Sequence, residues 1–320
     1  MRILALMGTP FSQEQIEKIR QTAEPLGFRL RLMDTETHYE PEALEDCEIL
    51  LGYFPRKLLK YARNLRWYQL PSAGADKYAD PTLYDGHEFV LTNASGAFGP
   101  AIAEQLVMGA LMLLRRMPEY LRQQRDHVWR RVGDLRFLGQ SRVTVLGTGN
   151  LGGTLAGYLR AMGADVVGVS RSGRQVEPFS RAYAMENRRA AVENADVVAA
   201  CLPLTGETRG ILDRDFFGAM KPGAVFLNAG RGKTVHQEAL IEALRSGHLA
   251  GAMLDVAEQE PMPPDCPLWD MEQVILTPHI SGSDLDPWNT EKILEIFLQN
   301  LRLYGAGAPL QNIVDINQGY

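Results

Sequence analysis

The chain has 320 residues, of which 45% are hydrophobic and 22% are charged. Because a single hydrophobic core stops growing at roughly 250–300 residues, this length indicates two domains or one large one, and the apolar content excludes global disorder. The net charge of −6, from 39 acidic and 33 basic residues, argues against a nucleic-acid-binding protein.

The cysteines Cys47, Cys201 and Cys266 stand far apart and show neither metal-ligand spacing nor a disulfide framework. This pattern predicts a reducing, cytoplasmic environment and no metal site. The longest apolar run, at 106–114, is well short of the ~20 residues that span a bilayer. We therefore expect neither a membrane segment nor an export segment.

Short apolar runs alternate with helical patterns along the chain, which is typical of βαβ units and a parallel sheet. Ser12 is a good N-cap for a helix predicted at 12–23. Strands are predicted in this first part at 2–7, 29–33, 49–52, 66–70 and 90–92. Together these elements predict a small doubly wound unit.

A cluster of small residues at 93–100 marks a break in the pattern. Pro100 suits the first turn of the next helix, predicted at 101–116. That helix is apolar nearly all round, so we expect it to be buried between other elements. A domain boundary is predicted just before it.

A second alternating series follows this helix. Helices are predicted at 151–162 and 236–246, and a final amphipathic helix at 291–304 ends before the helix-stop residue Gly305. Strands are predicted at 142–146, 165–170, 196–202, 224–228, 251–256 and 274–277.

Gly147, Gly149 and Gly152 form a G-x-G-x-x-G motif between a predicted strand and a predicted helix. The first glycine permits a tight turn, the second lets the backbone approach a pyrophosphate, and the third lets helix and strand pack closely. Asn150 and Leu151 begin the helix, whose N-terminal N–H groups suit phosphates. We interpret the motif as a dinucleotide site; the alternative is a glycine-rich turn without a ligand.

Ser170, Arg171 and Ser172 lie about 20 residues further on, where an NAD site usually carries an acid for the ribose 2′-hydroxyl. The segment 166–174 contains no Asp or Glu. An arginine with hydroxyl neighbours would instead bind a 2′-phosphate. The segment therefore predicts that NADP(H) is preferred, with NAD(H) left open; the alternative is a solvated basic loop.

Arg231, Glu260 and His279 each follow a different predicted strand of the second series. Open α/β sheets bind ligands at the carboxyl ends of their strands, so the three side chains could converge in one cleft. Taken singly, Arg231 could be a surface ion pair, Glu260 a loop residue and His279 a packed histidine. Their combination after a nucleotide motif favours a catalytic site.

These motifs resemble those of the D-isomer-specific 2-hydroxyacid dehydrogenases, most clearly from residue 66 to residue 315. Three further segments share the resemblance, SAGAD at 72–76, NASG at 93–96 and CLPLT at 201–205. The basic segment at 170–172 makes the chain most similar to the family's NADPH-dependent glyoxylate/hydroxypyruvate reductase branch.

The resemblance implies an α/β fold of two doubly wound parallel-sheet domains. A Rossmann nucleotide domain (99–288) would be inserted in a smaller flavodoxin-like substrate domain (1–98 and 289–320), with the substrate in the cleft between them. The helix at 101–116 and the arm through Trp129 look like the family's dimerisation region. A homodimer is therefore expected, with a small 2-oxo or 2-hydroxy acid as ligand and no nucleic acid or membrane as partner.

The family mechanism reduces a 2-oxo acid to the D-2-hydroxy acid by hydride transfer from NAD(P)H. His279 would be the acid/base, since histidine titrates near neutral pH. Glu260 would orient its ring and favour the imidazolium. Arg231 would bind the substrate carboxylate through its planar fork.

The resemblance also implies further ligand contacts. The backbone N–H groups of the 72–75 loop would complete the carboxylate site, and Asp255 would hold the nicotinamide carboxamide. Leu202 and Pro203 would lie along the adenosine. The implied substrate residues are Ser72, Ala73, Gly74 and Ala75, and Ala229 joins the implied cofactor residues.

Two other functions stay open at this point. A formate dehydrogenase relative would share the Arg and the His, but in that family a Gln partners the His, so Glu260 argues against it. A dinucleotide-sensing corepressor can retain all three catalytic residues. Turnover of glyoxylate with NADPH would separate an enzyme from a corepressor.

Overall fold

The computed structural model describes residues 2–283 and 286–319. The chain divides into two compact units, a first unit of Met1–Phe98 with Ser283–Tyr320 and a second unit of Gly99–Gly282. The second boundary therefore lies at 282/283 rather than after residue 288 as expected. Ser283 belongs with the helix that follows, because its carbonyl accepts a 2.8 Å hydrogen bond from Asn289 Nδ2.

The helices and strands of the described residues follow in chain order. The strands are β1 (Arg2–Met7), β2 (Phe28–Met33), β3 (Cys47–Gly52), β4 (Trp67–Gln69), β5 (Val90–Thr92), β6 (Arg142–Leu146), β7 (Asp165–Ser170), β8 (Arg181–Ala184), β9 (Val197–Ala200), β10 (Val225–Asn228), β11 (Gly251–Leu254) and β12 (Val274–Leu276). The α-helices are α1 (Gln13–Ala23), α2 (Arg56–Leu59), α3 (Gly99–Leu114), α4 (Met117–Arg125), α5 (Asn150–Ala161), α6 (Arg188–Val192), α7 (Arg214–Ala219), α8 (Gln237–Arg245) and α9 (Pro287–Gly305).

The first unit is built on a parallel sheet with the strand order β2-β1-β3-β4-β5, which is the flavodoxin-like order. Helix α1 begins as predicted at the N-cap Ser12, whose side chain and that of Gln15 form a capping box. Helix α9 packs on this unit: its Phe297 and Tyr304 rings stack against Trp67, at centroid distances of 5.2 and 5.6 Å.

The second unit is built on a parallel sheet with the order β12-β11-β10-β9-β6-β7-β8. Alternate residues of its central strands enter two different cores: Val197 and Ala199 join one, while Val198 and Ala200 join the other. Side chains alternate across a strand, so this sheet is buried on both faces. The expected pair of doubly wound α/β sheets is thereby confirmed.

Three local expectations are corrected by the structure. The helix expected at 101–116 spans Gly99–Leu114 and is followed by α4, because Arg116 adopts a left-handed backbone with φ 56°. The edge strand β8 was not predicted, since Arg181–Ala184 carries no buried residue to reveal it. The final helix begins at Pro287, four residues before the predicted start at 291, with Asp286 as its N-cap.

Helix α3 is not buried all round, contrary to expectation. Ala103, Leu106 and Ala110 are fully buried, whereas Met108 is 41% exposed. The buried stripe faces the sheet and α5, and the opposite stripe lies on the surface of the second unit. Among the described residues, no helix is both long and apolar enough to cross a membrane.

Candidate active site

The predicted site residues of the second unit lie at one edge of its sheet. All neighbouring strands of the sheet are parallel, so the loops that follow them leave from the same edge. The loops after β6, β7, β9, β10, β11 and β12 carry, in that order, Gly147, Arg171, Leu202, Arg231, Asp255 and His279.

The glycine motif forms the predicted turn between β6 and α5. Gly147 has a φ of 102°, and a Cβ at Gly152 would lie 1.8 Å from the carbonyl oxygen of Gly147. Turn geometry and packing therefore demand these two glycines. Gly149 has φ −75° and a Cβ there would meet nothing within 4 Å. Neither strain nor packing explains the second glycine, which leaves open space beside the N-terminus of α5.

The loop after β7 is exposed and carries its hydroxyl groups close to the backbone. Ser170 Oγ accepts a hydrogen bond from Gly173 N at 3.2 Å, and Ser172 Oγ accepts one from Arg174 N at 3.4 Å. Each hydroxyl keeps its own hydrogen for donation while it accepts. Arg171 lies between the two serines and is exposed. The loop thus presents donors and positive charge at the end of the second strand of this sheet.

In the loops after β9 and β10, two of the expected cofactor residues have buried side chains. Leu202 is only 4% exposed and belongs to a hydrophobic core, whereas Pro203 is exposed. The apolar surface beside this edge therefore comes from Pro203, while the Leu202 side chain stabilises the fold. Ala229 is also buried, at 7% exposure. Burial raises the pKa of the neighbouring Cys201 thiol to about 12, so this thiol is protonated at neutral pH.

Arg231 is held by a tight backbone turn after β10. Its carbonyl oxygen accepts a 2.7 Å hydrogen bond from Thr234 Oγ1, and its Nη1 donates to Gly230 O at 2.9 Å. A Cβ at Gly232 would lie 1.8 Å from Ala257 O, so only glycine fits there. The turn brings the loop after β10 against the loop after β11, and the half-buried Arg231 is presented at that junction.

His279 and Glu260 are brought together by the structure. His279 Nδ1 lies 2.8 Å from Glu260 Oε2, and Glu260 Oε1 accepts a 3.0 Å hydrogen bond from Ala257 N. Since a carboxylate only accepts, Nδ1 carries the hydrogen of this contact. The ring therefore has its Nε2 directed away from Glu260, which is the arrangement of an oriented acid/base.

Asp255 is a buried carboxylate at the end of β11, with 1% exposure. Its oxygens accept hydrogen bonds from Thr277 Oγ1, Ile280 N, Ser281 N and Ser281 Oγ. All these donors belong to the turn that carries His279. Asp255 was expected to contact the cofactor; in the structure its hydrogen bonds go to this turn.

The loop predicted to bind substrate lies in the first unit, after β4. The carbonyl oxygens of its four residues are all engaged within that unit, with donors Ala94 N, Asn93 Nδ2, Ser72 Oγ and Tyr78 N. Ser72, Ala73 and Gly74 are partly or fully exposed, and Ala75 is buried. With the carbonyl groups turned inward, the loop backbone is suited to present N–H groups.

Sequence reasoning gave no role to Ala257, Thr277 and Ser281. In the structure Ala257 N donates to Glu260, and Thr277 and Ser281 donate to Asp255. A sequence signal was present for Thr277 and Ser281, because these two hydroxyl residues flank His279, two positions away on either side. Ala257 acts only through its backbone, so no side-chain pattern could reveal it. Among residues 2–283 and 286–319, no group of three His, Cys, Asp or Glu side chains could hold a metal ion.

Residues 107–281 match the family profile described as "D-isomer specific 2-hydroxyacid dehydrogenase, NAD binding domain". A glyoxylate reductase/hydroxypyruvate reductase of Mus musculus is 34% identical to this chain over 249 residues, 75% of this chain and 74% of the mouse protein.

Solved structures are similar over nearly the whole length. A D-isomer specific 2-hydroxyacid dehydrogenase of Xanthobacter autotrophicus, in complex with NADPH and MES, has a TM-score of 0.85, 30% identity and 99% coverage of both chains. An NADPH-dependent glyoxylate/hydroxypyruvate reductase of Sinorhizobium meliloti, in complex with NADP and sulfate, has a TM-score of 0.85 and 28% identity, covering 100% of this chain and 99% of its own.

Proposed function

This chain belongs to the D-isomer-specific 2-hydroxyacid dehydrogenase family, and from that premise we propose that it reduces a 2-oxo acid of the glyoxylate or hydroxypyruvate type to the D-2-hydroxy acid with NAD(P)H. The observation that carries this function is the 2.8 Å contact between His279 Nδ1 and Glu260 Oε2. An oriented histidine at the ligand-binding edge of a nucleotide-type sheet is the group that this reduction needs.

The protein residues have three tasks in this reaction. His279 Nε2 delivers a proton to the carbonyl oxygen as it becomes an alkoxide, and Glu260 stabilises the imidazolium that precedes the transfer. Arg231 binds the substrate carboxylate bidentately, which leaves one face of the carbonyl towards the cofactor. The nicotinamide supplies the hydride when it is bound.

The cofactor residues are proposed on the geometry of two loops. Gly147, Gly149 and Gly152, with Asn150 and Leu151 at the N-terminus of α5, would hold the pyrophosphate. The open space at Gly149 supports this fit, because nothing in the protein occupies it. N–H groups in the first turn of a helix have no intrahelical partner and attract anions.

We propose NADP(H) as the preferred cofactor. Ser170, Arg171 and Ser172 would bind the 2′-phosphate. The support is the exposure of Arg171 and Ser172 just after β7 and the absence of any acid at 166–174. The similar structures from Xanthobacter autotrophicus and Sinorhizobium meliloti contain NADPH and NADP. Pro203 and the backbone near Ala229 complete the proposed cofactor surface, with Leu202 contributing its backbone.

For the first unit, we propose that the backbone N–H groups of Ser72, Ala73, Gly74 and Ala75 bind the substrate carboxylate. The support is the inward engagement of all four carbonyl groups. A loop whose acceptors are satisfied internally is left with donors for an anion.

The activity is tested by following NADPH oxidation with glyoxylate, hydroxypyruvate, pyruvate and phenylpyruvate, and by chiral chromatography of the products. We expect glyoxylate and hydroxypyruvate to be the best substrates, and D-glycerate to form from hydroxypyruvate. No oxidation with any of the four acids, together with tight NADPH binding, would instead support the dinucleotide-sensing corepressor.

We further propose that the chain forms a homodimer through the exposed side of α3 and the segment after it. Met108, Leu111 and Met112 of α3 line a surface groove with Tyr158 of α5 and with Met162, which follows α5. Exposed apolar side chains continue along the following arm, at Met117, Leu121, Val128, Trp129, Leu135 and Phe137. So large an apolar surface is typical of an interface between subunits.

The dimer is tested by light scattering. We expect twice the 35.6 kDa of one chain for the wild type and a lower mass for Met108→Glu. Leu32→Glu is the matched control, because Leu32 is 50% exposed but belongs to the first unit and is not part of the α3 surface. A wild type with the mass of a single chain would contradict the proposal.

The proposed location is the cytoplasm. The support is chemical: Cys47, Cys201 and Cys266 are all free thiols, as is usual for proteins of a reducing compartment. Fractionation of the producing cells would test the location, and recovery of the protein outside the cytoplasmic fraction would contradict it.

A further inference from the structure

Asp255 binds both flanks of the turn that carries His279. Its Oδ1 accepts hydrogen bonds from Thr277 Oγ1 at 2.6 Å and from Ile280 N at 3.0 Å. Its Oδ2 accepts from Ser281 N at 3.1 Å and from Ser281 Oγ. A carboxylate has about four lone-pair sites, so the donors of this turn are sufficient to use them all.

The backbone of Asp255 adds to this attachment. His279 N donates to Asp255 O at 2.8 Å, and Asp255 N donates to Asn228 O at 2.9 Å. Residues 277–281 are thereby tied to β11 and through it to β10. The side chain is 1% exposed, and a buried carboxylate is costly unless its hydrogen bonds are made. Loosening the turn would leave that charge unsatisfied, so the turn is held firmly.

His279 needs such support because its own backbone is strained. Its φ is 55°, in the left-handed region that costs a non-glycine residue on the order of 1–2 kcal/mol. Strained residues persist where the surrounding structure over-determines them. Here the donors on either side of His279 are bound to a single carboxylate, which keeps the turn in this conformation and directs the ring at Glu260.

The hydroxyl of Thr277 has a defined direction. It donates to Asp255 Oδ1 and accepts a 3.4 Å hydrogen bond from Gln105 Nε2 of α3. A hydroxyl has one hydrogen, so donation to the carboxylate and acceptance from the amide are mutually consistent. Thr277 therefore links α3, β11 and the acid/base turn.

We propose that Asp255, Thr277 and Ser281 form a buried anchor that positions His279 for proton transfer. Thr277 and Ser281 are positioning residues, acting through Asp255 and without contact to the reacting atoms. The inference rests on the proposed function only in that His279 is taken as the proton donor. In this proposal the main task of the Asp255 carboxylate is to hold the turn that carries His279. Loss of this anchor should therefore reduce turnover more than it weakens cofactor binding.

The test compares Thr277→Val with Thr277→Ser in the 320-residue chain. Valine removes the hydroxyl at nearly constant volume, and serine restores the donor. Because a small misplacement of a catalytic group can reduce the rate by about 10²-fold, we expect Thr277→Val to lower kcat about ten- to hundredfold. The KM for NADPH should stay within about twofold, and Thr277→Ser should recover most of the kcat.

Thr144→Val is the matched control. Thr144 is fully buried and its Oγ1 donates to Ala191 O at 2.7 Å, so this variant also loses one buried hydrogen bond of the second unit. It lies within β6, away from the acid/base turn. We expect its kcat to stay close to that of the wild type, although its melting temperature should fall.

Amide hydrogen exchange provides a readout that needs no activity. The amides of Ile280 and Ser281 donate to Asp255, so their exchange should accelerate in Thr277→Val and slow again in Thr277→Ser. If Thr277→Val fails to fold, Ser281→Ala provides a second test. It should also lower kcat, as expected for Thr277→Val.

The outcomes separate this inference from the proposed function. A wild type without reductase activity but with the expected exchange pattern would contradict the function and leave the anchor supported. Faster exchange with an unchanged kcat would overturn the positioning role. A large rise in the KM for NADPH with kcat preserved would also overturn it, and would return these residues to cofactor binding.

Discussion

Glu260 contacts both the ring of His279 and the backbone of its own loop: Oε2 lies 2.8 Å from His279 Nδ1 and Oε1 lies 3.0 Å from Ala257 N. The side chains of His279 and Glu260 are 48% and 39% exposed. Exposed ion pairs contribute only about 0–1 kcal/mol. The contact therefore acts mainly by orienting the ring, and only secondarily by its charge.

The first prediction ranks the two members of this pair. We expect His279→Ala to lower kcat by roughly 10²–10⁴-fold, since it removes the proton donor. Glu260→Gln retains an oxygen that can accept from Nδ1, so the loss of kcat should be smaller, within about tenfold. Steady-state kinetics gives both values, and fluorescence titration should show NADPH binding unchanged. Nearly full kcat in His279→Ala would contradict its assignment.

The second prediction concerns Arg231. Arg231→Lys keeps the charge but loses the planar fork that binds a carboxylate at two points. The KM for the 2-oxo acid should rise at least tenfold, and kcat should fall as well. Lys233→Ala removes an exposed cation two positions away and serves as control, with both parameters within about twofold. If Arg231→Lys behaves like this control, another residue binds the carboxylate.

The third prediction concerns cofactor choice. A charge-assisted hydrogen bond contributes roughly 1.5–3 kcal/mol, so Arg171 alone would give NADPH a 10- to 100-fold advantage over NADH at ~1.4 kcal/mol per tenfold. We expect Arg171→Ala to abolish most of this preference in kcat/KM. Arg174→Ala, in the same exposed loop, should have a smaller effect. A wild-type ratio near one would show that this loop does not select the cofactor.

The fourth prediction concerns the stability of the first unit. Glu48 accepts hydrogen bonds from Arg2 and from Tyr304 of α9, with closest distances of 2.7 Å to each. The hydrogen bonds from Arg2 hold the pKa of Glu48 below its ordinary value. Burial acts in the opposite direction, but its effect is smaller than that of Arg2. A carboxylate whose pKa is lowered by folding stabilises the folded state at pH values above ~4.3, its pKa in the unfolded chain. This stabilisation is lost as the pH falls through the lower pKa of the folded state.

Glu48→Gln should therefore lower the free energy of unfolding by about 1–2 kcal/mol at pH 7. The difference from the wild type should shrink at an acidic pH below the lowered pKa of folded Glu48, where the wild-type carboxylate is protonated as well. Urea unfolding of both proteins at the two pH values measures this difference in the free energy of unfolding. Glu88→Gln is the control, because Glu88 is an exposed glutamate of the same unit and its substitution should change stability little. A difference independent of pH would contradict the ionic contribution.

The sequence by itself determined the features that depend on neighbouring residues. The N-cap at Ser12, the strands β6 and β7 at 142–146 and 165–170, and the glycine turn at 147–152 were predicted at their observed positions. Each rests on a local cause, such as a capping hydroxyl, an apolar run or a glycine backbone. The α/β class followed from the alternation of these local patterns.

Only the tertiary structure decided which side chains meet and which are buried. The hydroxyl of Thr277 reaches Asp255 across 22 positions of sequence and the amide of Ser281 across 26, because β11 and β12 are neighbours in the sheet. Strand order likewise buries Leu202 and exposes one side of α3. Burial and long-range hydrogen bonds depend on how strands and helices pack against one another. The local sequence around an apolar or hydroxyl residue does not show which distant residue it will contact.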